Sequence, residues 1–226
     1  MKVPSYDWVL FDLDETLLDF PVAQALEQTL QLYGVTPTPP RMAEYHALNH
    51  RLWQQYNSGE IDAAHLQQTR FTLFAEQVDV APMAMNDTFL QQIIALSVPL
   101  EGVLETLQAL KGRVRMGIIT NGFSLPQRGR LSKLGWSDWF ELLVISDEVQ
   151  VTKPAAAIFQ HTLALMGQPS PARVLMVGDN PKTDIAGAAA LGLATCWYNP
   201  ARHDTECEAT HEIHHFAHLS TIVLGQ

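Results

Sequence analysis

The amino-acid sequence predicts an α/β fold with a mostly parallel β-sheet. Short apolar runs typical of buried strands alternate with stretches of helical periodicity along the second half of the chain. This alternation of strand and helix is the pattern of a parallel sheet that is covered by helices. With 226 residues, 47% of them hydrophobic, the chain is long enough to form a core that needs no disulfide or structural metal.

The first predicted strand spans residues 8–11 and ends in an acidic cluster. The interval that follows, residues 21–98, has helical patterns but no convincing strand, and its glycines and prolines divide it into about four helices. Such an interval is longer than a crossover between parallel strands requires. We therefore expect residues 19–98 to form an inserted helical cap over the strand ends, and residues 1–18 and 99–226 to form a Rossmann-like core.

The remaining strands follow this insert. Helical periodicity separates them, for example in the apolar residues of segment 103–110. The histidine-rich C-terminal segment predicts no element. The four later strands are expected at residues 114–119, 142–145, 174–177 and 193–197.

Composition and charge exclude several classes of protein. The chain carries 24 acidic and 14 basic side chains, a formal net charge of −10, which disfavours binding to polymeric nucleic acid. No apolar run approaches the ~18 residues that a membrane span requires, and the first residues lack the apolar core of a signal peptide. Two cysteines without a C-x-x-C spacing indicate a reducing compartment. We expect a cytoplasmic protein, monomeric or homodimeric, that does not associate with membranes.

Polar residues follow four of the predicted strands, directly or after a short loop. Because the carboxyl ends of parallel strands line the ligand crevice of an open α/β sheet, we expect these residues to form one site. They are Asp12 and Asp14 after the first strand, Thr120, Asn121 and Gly122 after the second, Lys153 after the third, and Asp179 and Asp184 after the fourth.

Asp12 and Asp14 have the spacing of two cooperating carboxylates. Residues two apart in extended backbone share a face, with a rise of roughly 6.5–7 Å between them. One carboxylate can then attack a phosphorus atom while the other reaches the leaving oxygen. We predict Asp12 as the nucleophile that forms an aspartyl phosphate and Asp14 as the general acid and then general base.

A phosphoryl group beside several carboxylates requires a hard divalent cation, and Mg²⁺ prefers oxygen ligands. We predict Asp12 and Asp179 as carboxylate ligands, Asp14 as a ligand through its main-chain carbonyl, and Asp184 as a residue that orients the ion or its waters. Mn²⁺ is a possible substitute. Lys153 is expected to offset the remaining negative charge, and the segment Thr120-Asn121-Gly122 to hydrogen-bond the phosphoryl oxygens.

Three competing motifs are weaker. A calcium loop that begins at Asp12 requires glycine where Leu17 stands and glutamate where Ala23 stands. A Walker loop requires glycine at Pro181, before the Lys-Thr pair. Residues 211–215 match H-E-x-x-H, but a zinc site requires a helix and a third ligand, so we interpret these histidines as surface residues.

Aromatic side chains in the insert have two possible roles. They can stack on a nucleobase, or they can pack in the core of the helical insert, which we expect for most of them. The residues are Tyr45, Trp53, Tyr56, Phe71 and Phe74.

The four strand-end segments, taken in order, resemble the four motifs of the haloacid dehalogenase superfamily of phosphohydrolases. The segments are Asp12-Leu13-Asp14-Glu15-Thr16-Leu17, Ile118-Ile119-Thr120-Asn121-Gly122, Lys153-Pro154 and Gly178-Asp179-Asn180-Pro181-Lys182-Thr183-Asp184. The insert matches the cap that this superfamily carries between its first two motifs. The resemblance implies that the core is catalytic, with Asp12 as nucleophile, Asp14 as acid/base, Thr120 and Lys153 as phosphate contacts, and Asp179 with Asp184 on the metal side.

Within the superfamily, the sequence resembles the bacterial noncanonical pyrimidine 5'-nucleotidases, although the turn at residues 124–126 and most of the first cap helix depart from them. This resemblance implies a phosphomonoesterase with a small substrate, a pyrimidine nucleoside 5'-monophosphate. A sugar-phosphate phosphatase, a phosphomutase of the same superfamily and a non-catalytic nucleotide-binding regulator remain alternatives. The segments that carry the similarity are residues 52–59, 118–123, 142–149, 173–179 and 192–197.

Overall fold

The structure is a computed structural model that describes residues 5–225. The chain divides into two compact units. Met1–Phe20 and Val98–Gln226 form the first, which we call the core unit, and Pro21–Ser97 form the second, which we call the insert unit. No helix among the described residues is long and apolar enough to cross a membrane.

The core unit contains one sheet of six strands, in the order β3-β2-β1-β4-β5-β6. All neighbouring strands run parallel, so the predicted α/β fold with a parallel sheet is confirmed. The strands are β1 (Trp8–Phe11), β2 (Arg115–Thr120), β3 (Leu142–Ile145), β4 (Val174–Gly178), β5 (Ala194–Tyr198) and β6 (His211–Ile213).

Strand β1 lies at the point where the strand order reverses. The chain passes from β1 to β2 and β3 on one side, and then returns to place β4, β5 and β6 on the other side. Phe11, the last residue of β1, is in register with Ile118 of β2 and Val177 of β4. A crevice at the carboxyl ends of strands next to such a reversal is where open α/β sheets bind ligands.

Both faces of the sheet are covered. Val9 and Phe11 of β1 point into one apolar cluster, whereas Trp8 and Leu10 point into another. This alternation follows from the two-residue period of a strand, and it explains why β1 is apolar throughout. The first face packs against α6 (Val103–Leu110), α7 (Ser124–Lys133) and α11 (His218–Leu224), and the second against α9 (Ala156–Leu165) and α10 (Ala186–Ala189).

Three short turns complete the core unit. They are α8 (Ser146–Val149), a 3₁₀ turn at Pro171–Arg173 and a π-helical turn at Pro181–Ile185 that continues into α10. Short π-helical segments occur often at functional sites.

The insert unit is helical and has its own apolar cluster. Three of its five singled-out aromatic residues, Tyr45, Phe71 and Phe74, are buried in that cluster, as expected for most of them, while Trp53 and Tyr56 are half-buried and contact each other edge to face. The helices are α1 (Val22–Leu32), α2 (Pro39–Asn57), α3 (Ala63–Thr69), α4 (Thr72–Ala75) and α5 (Pro82–Leu96).

Two features differ from the sequence prediction. The insert contains five helices instead of about four, because the four-residue helix α4 is too short to give a periodic pattern. The C-terminal segment, for which the sequence predicts no element, contains helix α11 and strand β6, which pairs with the edge of β5. Its three residues, His211-Glu212-Ile213, include two polar side chains and therefore gave no apolar run.

Candidate active site

Asp12 directly follows β1, at the reversal of strand order. Its backbone N–H donates to the Val177 carbonyl at 2.9 Å, which extends the β1–β4 pairing by one residue. The residue is 8% exposed, so its carboxylate lies largely away from water at the carboxyl edge of the sheet.

Asp179 directly follows β4, the neighbouring strand. The buried hydroxyl of Thr16 accepts from the Asp179 backbone N–H at 3.0 Å and donates to Asp179 Oδ1 at 3.3 Å. From β5, the Trp197 indole N–H donates to the Asp179 carbonyl at 2.8 Å. These contacts fix the backbone and the carboxylate of Asp179 from two directions.

Asp184 returns to the same place from the π-helical turn. Its Oδ2 accepts from the Asn180 backbone N–H at 3.1 Å, and the Asn180 side chain in turn caps the amides of Lys182 and Thr183. Gly178 makes room for this arrangement, since a Cβ there would lie 2.3 Å from Asp184 Oδ2. The turn therefore places a fully buried carboxylate against the end of β4.

The three carboxylates form one cluster, which we call the carboxylate cluster. Asp12, Asp179 and Asp184 each offer an oxygen, and these oxygens all lie within 4.8 Å of one another. Lys153 is the cation of this group. Its ammonium Nζ lies 2.7 Å from Asp12 Oδ1 and 2.7 Å from Asp184 Oδ1, and the residue is 3% exposed.

Asn121 positions Lys153 through its backbone. The Asn121 side chain accepts from the Lys153 N–H at 2.8 Å and donates to the Lys153 carbonyl at 3.0 Å. The residue thus ties the end of β2 to the loop after β3. Next to it, the Gly122 N–H donates to the Ser146 hydroxyl at 3.0 Å.

Asp14 belongs to a second polar group in the core unit. It is two residues from Asp12 in the sequence, but its side chain has different partners. Its Oδ1 lies 2.5 Å from Arg130 Nη1, and its Oδ2 accepts from Gln127 Nε2 at 3.1 Å. Gln127 Nε2 also lies 3.0 Å from Thr120 Oγ1. Both Gln127 and Arg130 come from α7 and are buried.

The carboxylate cluster carries more negative charge than Lys153 neutralises. Burial is the main factor that raises the pKa of Asp12 to about 8, against the opposing effect of Lys153, and that of Asp179 to about 6. Burial alone would lower the pKa of Lys153, but Asp12 and Asp184 outweigh it and raise that pKa. Lys153 is therefore charged, and when all three carboxylates are ionised the cluster has two uncompensated negative charges.

This donor set fits a hard divalent cation. It consists of oxygen atoms from carboxylates, which are the ligands that Mg²⁺ and Mn²⁺ prefer. A dication supplies the two positive charges that the ionised cluster lacks, and the excess of buried negative charge is otherwise costly. Among the described residues, no other group of three His, Cys, Asp or Glu side chains is spaced to hold a metal ion.

The structure brings most of the predicted site residues together. Asp12, Asp179 and Asp184 form the carboxylate cluster. Lys153 pairs with two of these carboxylates, and Asn121 holds Lys153. Asp14 and Thr120 are joined through Gln127. The carboxylate of Asp14 is outside the group of three oxygens that could share an ion, and its predicted contribution to metal binding, through the main-chain carbonyl, stays a prediction.

Sequence reasoning missed the residues that hold this site in place. Thr16 and Trp197 fix Asp179, and Gln127 with Arg130 contact Asp14. Gln127 and Arg130 had a visible signal, since residues three apart on a helix that follows a site strand share one face. Trp197 had none, because its partner is a backbone carbonyl.

The H-E-x-x-H segment does not form a zinc site in the described structure. His211 and Glu212 are on strand β6 and not on a helix. His211 Nε2 lies 2.8 Å from the Tyr6 hydroxyl, and His214 Nδ1 lies 2.7 Å from the Asn199 carbonyl. The histidines therefore have local structural partners.

Fold and site together define a protein with a parallel sheet covered by helices and an acidic centre at the strand ends, and comparison with known proteins identifies its family. The model of the haloacid dehalogenase-like hydrolases matches residues 6–192. The chain belongs to this family.

Three relatives are informative. The chain is 43% identical over 204 residues to pyrimidine 5'-nucleotidase YjjG of Escherichia coli, with 90% of each chain covered. It is 31% identical over 223 residues to pyrimidine 5'-nucleotidase PynA of Streptococcus pneumoniae, with 95% of this chain and 93% of the relative covered. The crystal structure of the HAD-hydrolase YfnB of Bacillus subtilis, solved bound to magnesium, superposes on this structure with a TM-score of 0.81 and 26% sequence identity. The match covers 96% of this chain and 98% of that chain.

Proposed function

We propose that this hydrolase is a magnesium-dependent phosphomonoesterase and that its substrate is a pyrimidine nucleoside 5'-monophosphate. One observation carries the proposal. Lys153 bridges Asp12 and Asp184 beside Asp179, at the reversal of strand order, so that a nucleophile, a cation and a set of metal ligands lie within one crevice.

Asp12 is the nucleophile. Its Oδ1 is held by Lys153 at 2.7 Å, which orients the carboxylate and assigns the attack on phosphorus to Oδ2. The new P–O bond to Asp12 forms while the bond between phosphorus and the ester oxygen breaks. The resulting aspartyl phosphate divides one difficult hydrolysis into two displacements.

Asp14 moves the proton in both displacements. Its carboxyl group gives a proton to the departing ester oxygen, which leaves as an alcohol. It then takes a proton from the water that attacks the aspartyl phosphate, which releases inorganic phosphate and restores Asp12. The sum of the two displacements is the addition of one water across the P–O bond.

Asp12, Asp179 and Asp184, with the main-chain carbonyl of Asp14, are the residues that would hold Mg²⁺ or, as a substitute, Mn²⁺. When bound, the ion offsets the negative charge of the phosphoryl group and of the carboxylates. Lys153 contributes a fixed positive charge at the same place. Thr120, with the amides of Asn121 and Gly122, is proposed to hydrogen-bond the phosphoryl oxygens.

The substrate class is inferred from the relatives. Two of them, matched over most of the chain, are pyrimidine 5'-nucleotidases. A nucleoside 5'-monophosphate has a single phosphoryl group on a primary alcohol, which suits a site with one nucleophile and one acid/base. Mg²⁺ in the solved relative supports the choice of metal.

The test is a phosphate-release screen with the purified protein and Mg²⁺. Pyrimidine and purine nucleoside 5'-monophosphates, nucleoside 3'-monophosphates and sugar phosphates are compared at equal concentration, with EDTA and with added Mn²⁺ as parallel arms. We expect release from pyrimidine 5'-monophosphates, loss with EDTA and recovery with Mg²⁺.

The remaining outcomes identify the alternatives. Comparable rates on sugar phosphates with none on pyrimidine nucleotides would identify a sugar-phosphate phosphatase. Transfer of the phosphoryl group within a sugar, without inorganic phosphate, would identify a phosphomutase. Nucleotide binding with no turnover would identify a non-catalytic regulator, and each of these results would overturn the proposal.

A further inference from the structure

Two buried side chains of α7, Gln127 and Arg130, surround the carboxylate of Asp14. They are 2% and 1% exposed. They are three residues apart on the helix and therefore lie on the same face. Arginine is almost never fully buried unless it is paired, so the position of Arg130 calls for a carboxylate partner.

Asp14 is that partner, and each of its two oxygens has a separate contact. Arg130 Nη1 lies 2.5 Å from Oδ1, but their alignment is outside hydrogen-bonding geometry, so this contact is an ion pair. Gln127 Nε2 donates to Oδ2 at 3.1 Å. Arg130 therefore supplies the opposite charge for the Asp14 carboxylate, and the hydrogen bond from Gln127 fixes the orientation of that carboxylate.

The two side chains also hold each other. Arg130 Nη2 donates to Gln127 Oε1 in a short hydrogen bond, and Arg130 Nε donates to the Pro126 carbonyl at 3.3 Å. Because its oxygen is held by Arg130, the Gln127 amide can present only its nitrogen to Asp14. The orientation of this amide is thus fixed by a charged neighbour.

Gln127 connects Asp14 to the end of β2. Its Nε2 lies 3.0 Å from Thr120 Oγ1 and 3.3 Å from the Asn121 carbonyl. Gly122 leaves the space for it, since a Cβ there would lie 2.7 Å from the same nitrogen. The proposed acid/base and the proposed phosphate contact are therefore fixed relative to each other by one side chain.

The Asp14 side chain is nevertheless 21% exposed, so part of its carboxylate remains open. A carboxylate oxygen has two lone pairs. Oδ1 is buried and faces Arg130, whereas Oδ2 uses one lone pair for the hydrogen bond from Gln127 and keeps the other for a proton that is exchanged with substrate or water.

We infer that Gln127 and Arg130 are positioning residues for proton transfer by Asp14, an inference that rests on the proposed phosphomonoesterase function. Neither residue takes part in bond making. They hold the carboxyl group so that its proton reaches the ester oxygen as the P–O bond breaks, and so that it accepts the proton of the attacking water afterwards.

The choice of leaving group separates this role from a structural one. A nucleoside 5'-hydroxyl is a poor leaving group and needs the proton, whereas p-nitrophenol leaves as a stable anion and needs little help. Loss of Asp14 positioning should therefore slow cleavage of the nucleotide far more than the first displacement on p-nitrophenyl phosphate. The second displacement needs the base with either substrate.

The experiment compares Gln127→Leu and Arg130→Met with wild type on both substrates. We expect kcat for the nucleotide to fall about 10- to 100-fold, part of the roughly 10²–10⁴-fold that proton transfer contributes, with KM unchanged. On p-nitrophenyl phosphate we expect a rapid burst of about one p-nitrophenol per enzyme followed by slow turnover, because the aspartyl phosphate accumulates. Arg130→Lys should recover part of the lost activity, because it restores the charge.

Arg128→Met is the matched control. Arg128 is on the same helix, but it is exposed and pairs with Glu148 at 2.7 Å. We expect its kcat to stay within about twofold of wild type on both substrates. Thermal melts of all variants report whether they fold, and Gln127→Leu, which changes no charge, carries the test if Arg130→Met does not fold.

A double-mutant cycle with Asp14→Asn completes the test. If α7 acts through Asp14, Gln127→Leu in the Asp14→Asn background should change kcat less than about twofold. Equal losses on both substrates without a burst, or full additivity with Asp14→Asn, would overturn the inference while the phosphatase proposal stands. Undiminished nucleotide hydrolysis by Asp14→Asn itself would instead overturn the acid/base role in the proposed function.

Discussion

Gly178→Ala tests whether the site depends on the close contact between β4 and Asp184. A Cβ at residue 178 would lie 2.3 Å from Asp184 Oδ2 and 2.5 Å from its Cβ and Cγ. Ordinary contacts between such atoms are about 3.5 Å or longer, so Asp184 has to move by about 1 Å. It cannot do so freely, because it is fully buried and held by Lys153 at 2.7 Å and by the Asn180 amide at 3.1 Å.

Two costs follow from this displacement. Overpacking a buried site destabilises a protein by about 1–3 kcal/mol. Complete loss of a hydrogen bond to a charged group costs about 1.5–3 kcal/mol, and weakening it costs part of that amount. We expect the free energy of unfolding to fall by about 3 kcal/mol, which corresponds to a decrease in Tm of about 6–12 °C for a chain of this size.

The assay combines thermal unfolding with Mg²⁺-dependent phosphatase activity measured well below Tm. Gly117→Ala is the control, since its added Cβ would meet the flexible Leu142 and Leu10 side chains of the apolar core and no charged group. We expect both variants to lose stability, but only Gly178→Ala to lose activity per folded molecule. A Gly178→Ala protein with the Tm and the activity of wild type would refute the reasoning.

Three further predictions concern other groups. Asp12→Asn should lower kcat by at least ~10³-fold, or about 4 kcal/mol of barrier, while binding of the nucleotide persists; near-normal turnover would remove Asp12 as the nucleophile. Burial raises the pKa of both thiols, that of Cys196 to about 12, but Cys196 is buried and Cys207 only half-buried. Cys207 should therefore react faster than Cys196 with a thiol reagent at pH 8 in the native protein, and equal rates for both would contradict this. Burial lowers the pKa of His211, so the unfolded chain binds more protons than the folded chain, and the free energy of unfolding should fall as the pH drops below about 6.5. Urea titrations at pH 7.5 and 5.5 measure this loss of stability, which His211→Gln should reduce. An unchanged loss in the variant would mean that other groups cause it.

The sequence predicts those site residues that directly follow an apolar strand. Asp12 and Asp179 directly follow apolar strands, and the geometry of a parallel sheet brings such ends together whatever the details of packing. Lys153 and Asp184 required more, because their positions depend on a loop held by Asn121 and on a π-helical turn held by Asn180. They were placed by resemblance to a family pattern as much as by strand ends.

The residues that could not be predicted act through contacts distant in sequence. Arg130 and Asp14 are 116 positions apart, and although Gln127 and Arg130 share a helix face, the sequence does not show which basic residue of α7 is buried, since Arg128 is exposed. Strand β6 was missed for a related reason. Three residues with two polar side chains become a strand only because β5 offers an edge for pairing.

Asp12 and Asp14 have different buried cations as partners, Lys153 and Arg130, which explains how neighbouring aspartates can have different roles. Asp12 shares Lys153 with Asp184 and lies among other carboxylates, so its group has excess negative charge and fits a divalent cation. Asp14, two residues later, has Arg130 and a neutral amide, so its charge is matched one to one without a metal. The two environments therefore suit the proposed roles, in which Asp12 takes the phosphoryl group beside a metal ion and Asp14 exchanges a proton while α7 fixes its orientation.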